Sequence, residues 1–594
     1  MRPAGRALPA ILVVAAACRT AAPPTPVSRS PEAPVREDER GSITVPPLDL
    51  PAPLPPPAVA PAPADATDPY EVLWGHHLDF AQGGEPLVNI RIMEGQEAIA
   101  FRARSPAVIR PRGGAPIEIP AGGRVLVRAE EARASRLGYH ALVAEGPAAD
   151  RDRLEDVRRL YADRGVPLVV RRVGDVHGIA GRVIDNRREL LLVDGDGSEA
   201  SARAEIERLR ARFGARAQMN VEIAERPRGR LVLSGEGGAA IAEAESVAVA
   251  EAEEGFVVEG VQHDLGPVAR SREDRVYRGR IYLVVDAGGR LAAVHGVPLE
   301  ELLLGLVPSE MPASSPLEAL KAQAVTARSN VLAQLGTRHL GDPFMLCAEV
   351  HCQAYRGDGA RTARTDQAVR ETRGEALFGR QDRTVVDAVY SAMCGGHGED
   401  NDKVWGNAPN ASLRGHPDLP AGVRGRWDRA LSDEGKLRAF LAPGQPEAEQ
   451  SFCRRPASRR DRFRWEQRFS ADELDRALAG LGVGHVTALS VTSRGVSGRA
   501  RVLRVEGARG NAEVAGELNI RRALRHPLVQ GRDGLPSAMF VVDRDGDGWI
   551  LRGGGWGHGA GMCQWGAVGR AEAGQGYREI LRAYFSGAEV GALY

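Results

Sequence analysis

Apolar and polar positions fall in short blocks along the first half of the chain. Residues 87–128 hold apolar stretches (Leu87-Val-Asn-Ile-Arg-Ile92, Arg124-Val-Leu-Val127) parted by Gly and Pro turns, which predicts small β structure. Residues 140–144, 150–164 and 167–171 then predict strand, charged helix and strand, and the pattern returns at 190–194, 199–213 and 217–223. Two tandem β-α-β units of this size predict a small ferredoxin-like α/β sandwich. It is read as a scaffold or partner-binding domain. Residues 230–260 are again strand-like, and 279–285 with 291–294 predict a hairpin around Ala287-Gly-Gly289. Beyond it, Leu317, Leu320, Ala324, Ala327, Val331 and Leu335 share one helical face. Ser315 fits the N-cap, Pro316 the first position, Glu318 a capping box and Gly336 the stop. Glu310 is thus expected just before a helix, in a Ser-Glu-Met-Pro turn.

A chain of 594 residues is too long for one ordinary core. Lys+Arg and Asp+Glu both total 78, so charge gives no reason to expect a nucleic-acid partner. Arg2 and Arg6 precede an apolar run, residues 7–17, that is too short to span a bilayer and suits a secretory signal. It ends in Ala15-Ala-Ala-Cys18. Two readings stand: a lipoprotein site with Cys18 lipidated, or a plain signal cut near Ala17. Residues 19–68 are Pro- and Ala-rich and predict an extended tether. Membrane contact is expected only through that anchor, on the periplasmic side of the envelope. Arg19 in place of Asp points toward an outer membrane.

The chemistry gathers in the second half. Val307 and Met311 flank Glu310, and apolar neighbours raise a carboxyl pKa, as a general acid at neutral pH requires. Gly555-Trp-Gly-His-Gly-Ala-Gly561 is a glycine-dense loop around His558, either a ligand-binding loop or a tight turn with a packed His. Trp405 is either a ligand platform or a core residue. Asp543-Arg-Asp-Gly-Asp-Gly548 opens like a calcium loop but has Gly554 at its twelfth position, and reads better as a hairpin turn. Beyond Cys18 lie Cys347, Cys352, Cys394, Cys453 and Cys563, an odd number. Cys347, His351 and Cys352 offer soft ligands suited to zinc, with Cys394, His397 or water as a fourth. The alternative is disulfides, Cys347–Cys352 or Cys394–Cys453. The Arg-rich stretch 419–469 is read as a solvated face, with binding of anionic wall polymer as the alternative.

Several blocks resemble the SpoIID/LytB family: Leu306-Val-Pro-Ser-Glu-Met-Pro-Ala-Ser314, Leu317-Glu-Ala-Leu-Lys-Ala-Gln-Ala-Val325 with Arg328, Cys347-Ala-Glu-Val-His-Cys-Gln-Ala-Tyr-Arg-Gly357, Tyr390-Ser-Ala-Met-Cys-Gly-Gly-His397, Glu399 to Trp405-Gly406, and Gly555 to Ala567. The resemblance implies an α+β SpoIID-like catalytic domain over 275–594, preceded by β and ferredoxin-like structure over 69–270. It implies a peptidoglycan lytic transglycosylase with Glu310 as acid/base. Ser309, Arg328, Gln353, Tyr355, Trp556, His558, Gln564 and Trp565 would be substrate contacts. Zinc would be structural, at Cys347, His351 and Cys352. The partners would be glycan strands and a cell-wall amidase, and the family's second branch implies a non-catalytic glycan-binding amidase enhancer. Asn330 stands where Tyr is frequent and Cys563 where Ser is common. A hydrolase would need a second carboxylate, for which Asp387, Glu399, Asp400 and Asp402 are candidates.

Overall fold

The computed structural model describes residues 70–594, apart from 75–77, 82–83, 180–181, 214–216, 265–269, 350–351, 407, 428–429, 457–461 and 528–533. The signal segment, Cys18 and the tether lie outside the described residues. The fold is α+β, with helices and mostly antiparallel sheets.

Three strands, β1 (Pro86–Gln96), β2 (Ala98–Ala103) and β3 (Arg124–Arg133), open a large sheet. The chain then leaves it to build β4 (Arg136–Pro147), α1 (Arg151–Ala162), β5 (Leu168–Val173), β6 (Arg188–Val193), α2 (Glu199–Phe213) and β7 (Gln218–Glu225). These strands pair antiparallel in the order β7-β4-β6-β5. Leu154, Leu168, Leu191 and Leu209 close a small core of their own, as helical and alternating apolar periods require when one face is covered.

The chain returns as β8 (Arg228–Ser234), and the long strands β9 (Val247–Asp264) and β10 (Arg270–Val285) pair before β11 (Leu291–Pro298). The sheet runs β1-β11-β10-β9-β2-β3-β8 through its middle. Residue 270 therefore opens a strand of the sheet that already holds residues 86–96, so the main sheet continues across the boundary expected at 270–275. The reason is burial: Ile90, Phe256, Leu283 and Val294 share one apolar core with the helices that follow. The β10–β11 hairpin turns where expected, with Val285 opposite Leu291.

Two helices leave β11: α3 (Leu299–Glu310) and α4 (Leu317–Gln334). The segment expected to be a turn is thus α3, and Glu310 is its last residue. In α4 the N-cap position falls to Pro316, without a side-chain cap, so the expected Ser315 capping box is not formed. Nor is α4 amphipathic in place. Gln323, Thr326, Arg328 and Ser329 are as buried as Leu320, because its many alanines let neighbours pack against every side. Gly336 does end the helix, in a left-handed conformation (φ 69°).

Short β12 (Tyr390–Ser391) leads into a second region. It holds two three-stranded sheets, built from β13 (Arg464–Phe469), β14 (Val486–Arg494), β15 (Ala500–Gly507), β16 (Gly510–Ala515), β17 (Phe540–Asp545) and β18 (Gly548–Gly554) in the orders β13-β18-β17 and β14-β15-β16. The Asp-rich run is the tip of the β17–β18 hairpin, with Asp545 opposite Gly548. The stretch 419–469 is not a solvated face: Trp427, Leu431, Leu437 and Phe440 form a core there, and Arg464 donates to the Gly395 and Phe440 carbonyls. The chain closes through β19 (Met562–Cys563) and α5 (Gln564–Glu572), with β19 parallel to β12. This pairing brings the two ends of the second region together beside α3.

Candidate functional site

Glu310 sits where α3 ends against β12 and α5. The Ala354 amide donates to its Oε1 (3.0 Å). Gln564 Nε2 lies 3.5 Å from Oε2 and 3.4 Å from the Glu310 carbonyl, and the Tyr390 hydroxyl is a further partner. Burial nevertheless dominates and pushes the carboxyl up to about 7. The negative end of the α3 dipole acts in the same sense. Glu310 as a residue is only half-buried, but its carboxyl is desolvated, which leaves a proton donor of near-neutral pKa.

Behind it runs a relay of polar side chains. Tyr390 OH donates to Gln353 Oε1 (2.5 Å), Gln353 Nε2 donates to Asn330 Oδ1, and Asn330 Nδ2 donates to Asp387 Oδ1 (2.6 Å). Gln353 and Asn330 are almost fully buried. The relay fixes the Tyr390 hydroxyl, and with it the polar wall of the site. Tyr390 went unassigned in the sequence although it opens one of the recognised blocks. The Ala354 amide is a backbone group that no residue pattern announces.

The other expected contacts divide. Gln564 and Gln353 belong to the site. Ser309 Oγ is turned back onto the Gly305 carbonyl of its own helix (2.7 Å). Arg328 is wholly buried and grips Glu300 with two bonds of 2.7 Å; it is a structural cation, not a substrate contact. Tyr355 is also a core residue, 1% exposed, with its OH 3.1 Å from His295 Nδ1. Trp565 packs in the main core. Trp556 is partly exposed, with the Arg462 guanidinium 4.4 Å from its ring centre. Trp405 is partly exposed and rests on the His558 ring.

His558 is also engaged by the fold. Its Nε2–H donates to the Tyr390 carbonyl (2.9 Å) and its Nδ1 accepts from the Ala560 amide (3.1 Å), so both nitrogens are used by the fold. Burial holds its pKa down to about 3. The glycines around it serve packing: a Cβ at Gly559 would lie 2.3 Å from the Arg499 guanidinium, and at Gly561 2.0 Å from the Val389 carbonyl. The loop is a bracket that holds β12, and Tyr390 with it. Substituting His558→Ala should cost about 1–3 kcal/mol in denaturant unfolding, through the orphaned carbonyl. It should lower activity without changing the shape of the pH–rate profile. A lost titration limb would instead give His558 an acid–base role.

Of the four candidate second carboxylates, Asp387 ends the relay and Glu399 accepts from Ser497 Oγ (2.6 Å) and the Val496 amide. Asp400 accepts from the Gly415 amide, and Asp402 pairs with Lys403 and Arg414. None is bonded to Glu310 among the described residues.

His351 lies outside the described residues. Cys347 and Cys352 are joined instead by His339, unassigned in the sequence, with the three donor atoms within 4.8 Å of one another. His339 Nε2 is 3.1 Å from Cys352 Sγ, while its Nδ1–H donates to Asp342 (2.9 Å). That is the carboxylate–histidine arrangement behind many bound metals. The sulfurs of Cys347 and Cys352 are 3.2 Å apart and those of Cys394 and Cys453 3.7 Å, beyond the about 2.05 Å of a disulfide. The donor set, one imidazole and two thiols, fits zinc.

Residues 287–378 match the family described as stage II sporulation protein, SpoIID. The segment that carries Glu310 is thus a SpoIID-type domain, and the named relatives are a stage II sporulation protein D and an amidase enhancer. Residues 399–561 match a separate domain family of unknown function. An uncharacterised protein of Brachyspira hyodysenteriae is 27% identical over 343 residues, 57% of this chain and 75% of that one. The amidase enhancer of Bacillus subtilis is 27% identical over 292 residues, 48% of this chain but 39% of its own length. Stage II sporulation protein D of the same organism is 25% identical over 312 residues, 50% of this chain and 76% of its own. The SpoIID match holds Glu310 and Ala354, whereas Tyr390 and Gln564 lie outside it, on either side of the unknown domain.

Proposed function

We propose that this protein is a peptidoglycan lytic transglycosylase. It would cut the bond between N-acetylmuramic acid and N-acetylglucosamine, with Glu310 as both acid and base. The observation that carries the reading is the Glu310 carboxyl, pushed up to about 7 by burial and held between the Ala354 amide and Gln564. Protonated, it delivers its proton to the glycosidic oxygen. As carboxylate, it takes the proton of the muramic acid's own C6 hydroxyl, which attacks C1 and closes a 1,6-anhydro ring. An internal nucleophile needs no second carboxylate to activate water, in keeping with the engagement of Asp387, Glu399, Asp400 and Asp402 elsewhere.

The substrate lies outside the cytoplasmic membrane, so the reading takes with it the export signal and the Cys18 anchor expected from residues 1–18. His339, Cys347 and Cys352 would hold a structural zinc ion that fixes the loop leading to Ala354. The β4–β7 unit, whose strand order fits a ferredoxin-like sandwich, is read as a scaffold or partner-binding domain.

The test is mass spectrometry of the products from purified glycan strands. Anhydro-muramic ends are expected. Reducing ends would make the protein a hydrolase. Intact strands, with stimulation of an added cell-wall amidase, would make it an enhancer, the reading raised by the name of one relative.

A further inference from the structure

We propose a second metal site, a buried zinc centre held by Cys394, Asp418, Cys453 and Cys563, that clamps the 399–561 region onto the Glu310 site.

The four residues come from distant parts of the chain. Each is at most 2% exposed, and their donor atoms lie within 4.8 Å of one another. Zinc–sulfur bonds of about 2.3 Å give a tetrahedron whose sulfur–sulfur edges are about 3.8 Å. The Cys394 and Cys453 sulfurs are 3.7 Å apart. A cluster of several irons would need its ligands spread more widely, so one ion fits the space. The carboxylate favours zinc over a cuprous ion, which prefers sulfur alone.

The surroundings are those of a ligand shell. Asp418 Oδ1 accepts from Arg570 Nη2 (2.9 Å) and Tyr584 OH (3.0 Å), while Oδ2 faces Cys394 Sγ at 3.6 Å. Carboxylate ligands are oriented by such outer partners. A Cβ at Gly566 would lie 2.5 Å from Oδ2 and 2.1 Å from the tyrosine oxygen, so only glycine admits the Asp there. The Cys394 and Gly566 amides both point at Cys563 Sγ (3.1 and 3.2 Å), as donors do toward a thiolate. Buried Arg570 and half-buried Arg464 offset the negative charge of a thiolate-rich centre.

The position gives the ion its work. Cys394 follows Tyr390 by four residues, in the segment leaving β12, and Cys563 immediately precedes Gln564. Asp418 and Cys453 belong to the 399–561 region. One ion thus fixes two partners of Glu310 to the module inserted between them.

The test is metal content of the purified full chain. A Cys347→Ser/Cys352→Ser chain, lacking the first cluster, should retain about one zinc equivalent. X-ray absorption should show three sulfur ligands, and cobalt in its place should give a thiolate charge-transfer band. Adding Cys453→Ser should remove the equivalent. Should these variants fail to fold, the unaltered chain gives the answer: about two equivalents in native mass spectrometry support the site, and fewer overturn it. A Cys394–Cys453 disulfide in peptides from the non-reduced protein also overturns it.

Discussion

Glu310→Gln should abolish cleavage of glycan strands and, at alkaline pH, make the protein more stable. The first effect is the loss of a proton donor and acceptor at one position, worth about 100- to 10,000-fold in rate. Glutamine keeps the size and can still accept from the Ala354 amide, so glycan binding should survive. The second effect follows from the carboxyl's displacement from 4.5 to about 7. A group whose folded pKa lies above its unfolded one stabilises the fold fully below the unfolded value. That stability is lost as pH rises through the folded pKa, here between about 4.5 and 7. Above pH 7 the wild type keeps a charged carboxylate in a poorly solvated place, at a cost of up to about 3 kcal/mol. The neutral amide escapes it. Thermal unfolding at pH 4 should show little difference between the two proteins, and at pH 8 a higher midpoint for the variant. Wild-type cleavage should decline as pH rises through 7. Equal stability at both pH values would mean an ordinary, solvated carboxyl, and retained cleavage by the variant would remove Glu310 from the chemistry.

The parts of this fold legible in the sequence are those governed by local rules. The β4–β7 unit announced itself because its periods switch cleanly between strand and helix, and the hairpins at 286–290 and 545–548 because glycine and aspartate mark their turns. Glu310 was legible through its flanking apolar residues and through the resemblance. Misreadings arose where tertiary packing decides. Glu310 was expected in a turn, yet α3 continues to it and carries Pro308 in its last turn, forgoing the amide bond to the Leu304 carbonyl. His339 gave no signal because its partners Cys347 and Cys352 meet it only when the chain folds back. The glycine-rich loop looked like a ligand cradle, since glycines that admit a ligand and glycines that admit the neighbouring backbone are identical in sequence. His558 settles which they are by spending both nitrogens on the chain itself.

Arg328 carries the same lesson and the largest expected effect on stability. Its guanidinium has no exposure and meets both Glu300 oxygens at 2.7 Å, with a third bond to the Glu375 carbonyl (2.9 Å). Glu300 also receives the Tyr594 hydroxyl and the Gly374 amide. The pair therefore ties α3 and α4 to the 374–375 turn and to Tyr594, the last residue of the chain. Arg328→Ala would strand the Glu300 carboxylate in the core, at about 3–5 kcal/mol. Arg328→Lys should recover only part of this, because an ammonium cannot match both carboxylate oxygens at once. Glu300→Gln with Arg328→Met should recover more than either, since no unpaired charge is left behind. Denaturant unfolding of the four proteins checks the order. A substrate-binding arginine predicts the opposite pattern: an Arg328→Ala protein of wild-type stability with a raised KM for glycan strands. That outcome would place a guanidinium with no solvent exposure in contact with a ligand, and would require α4 to open away from Glu300 before substrate could bind.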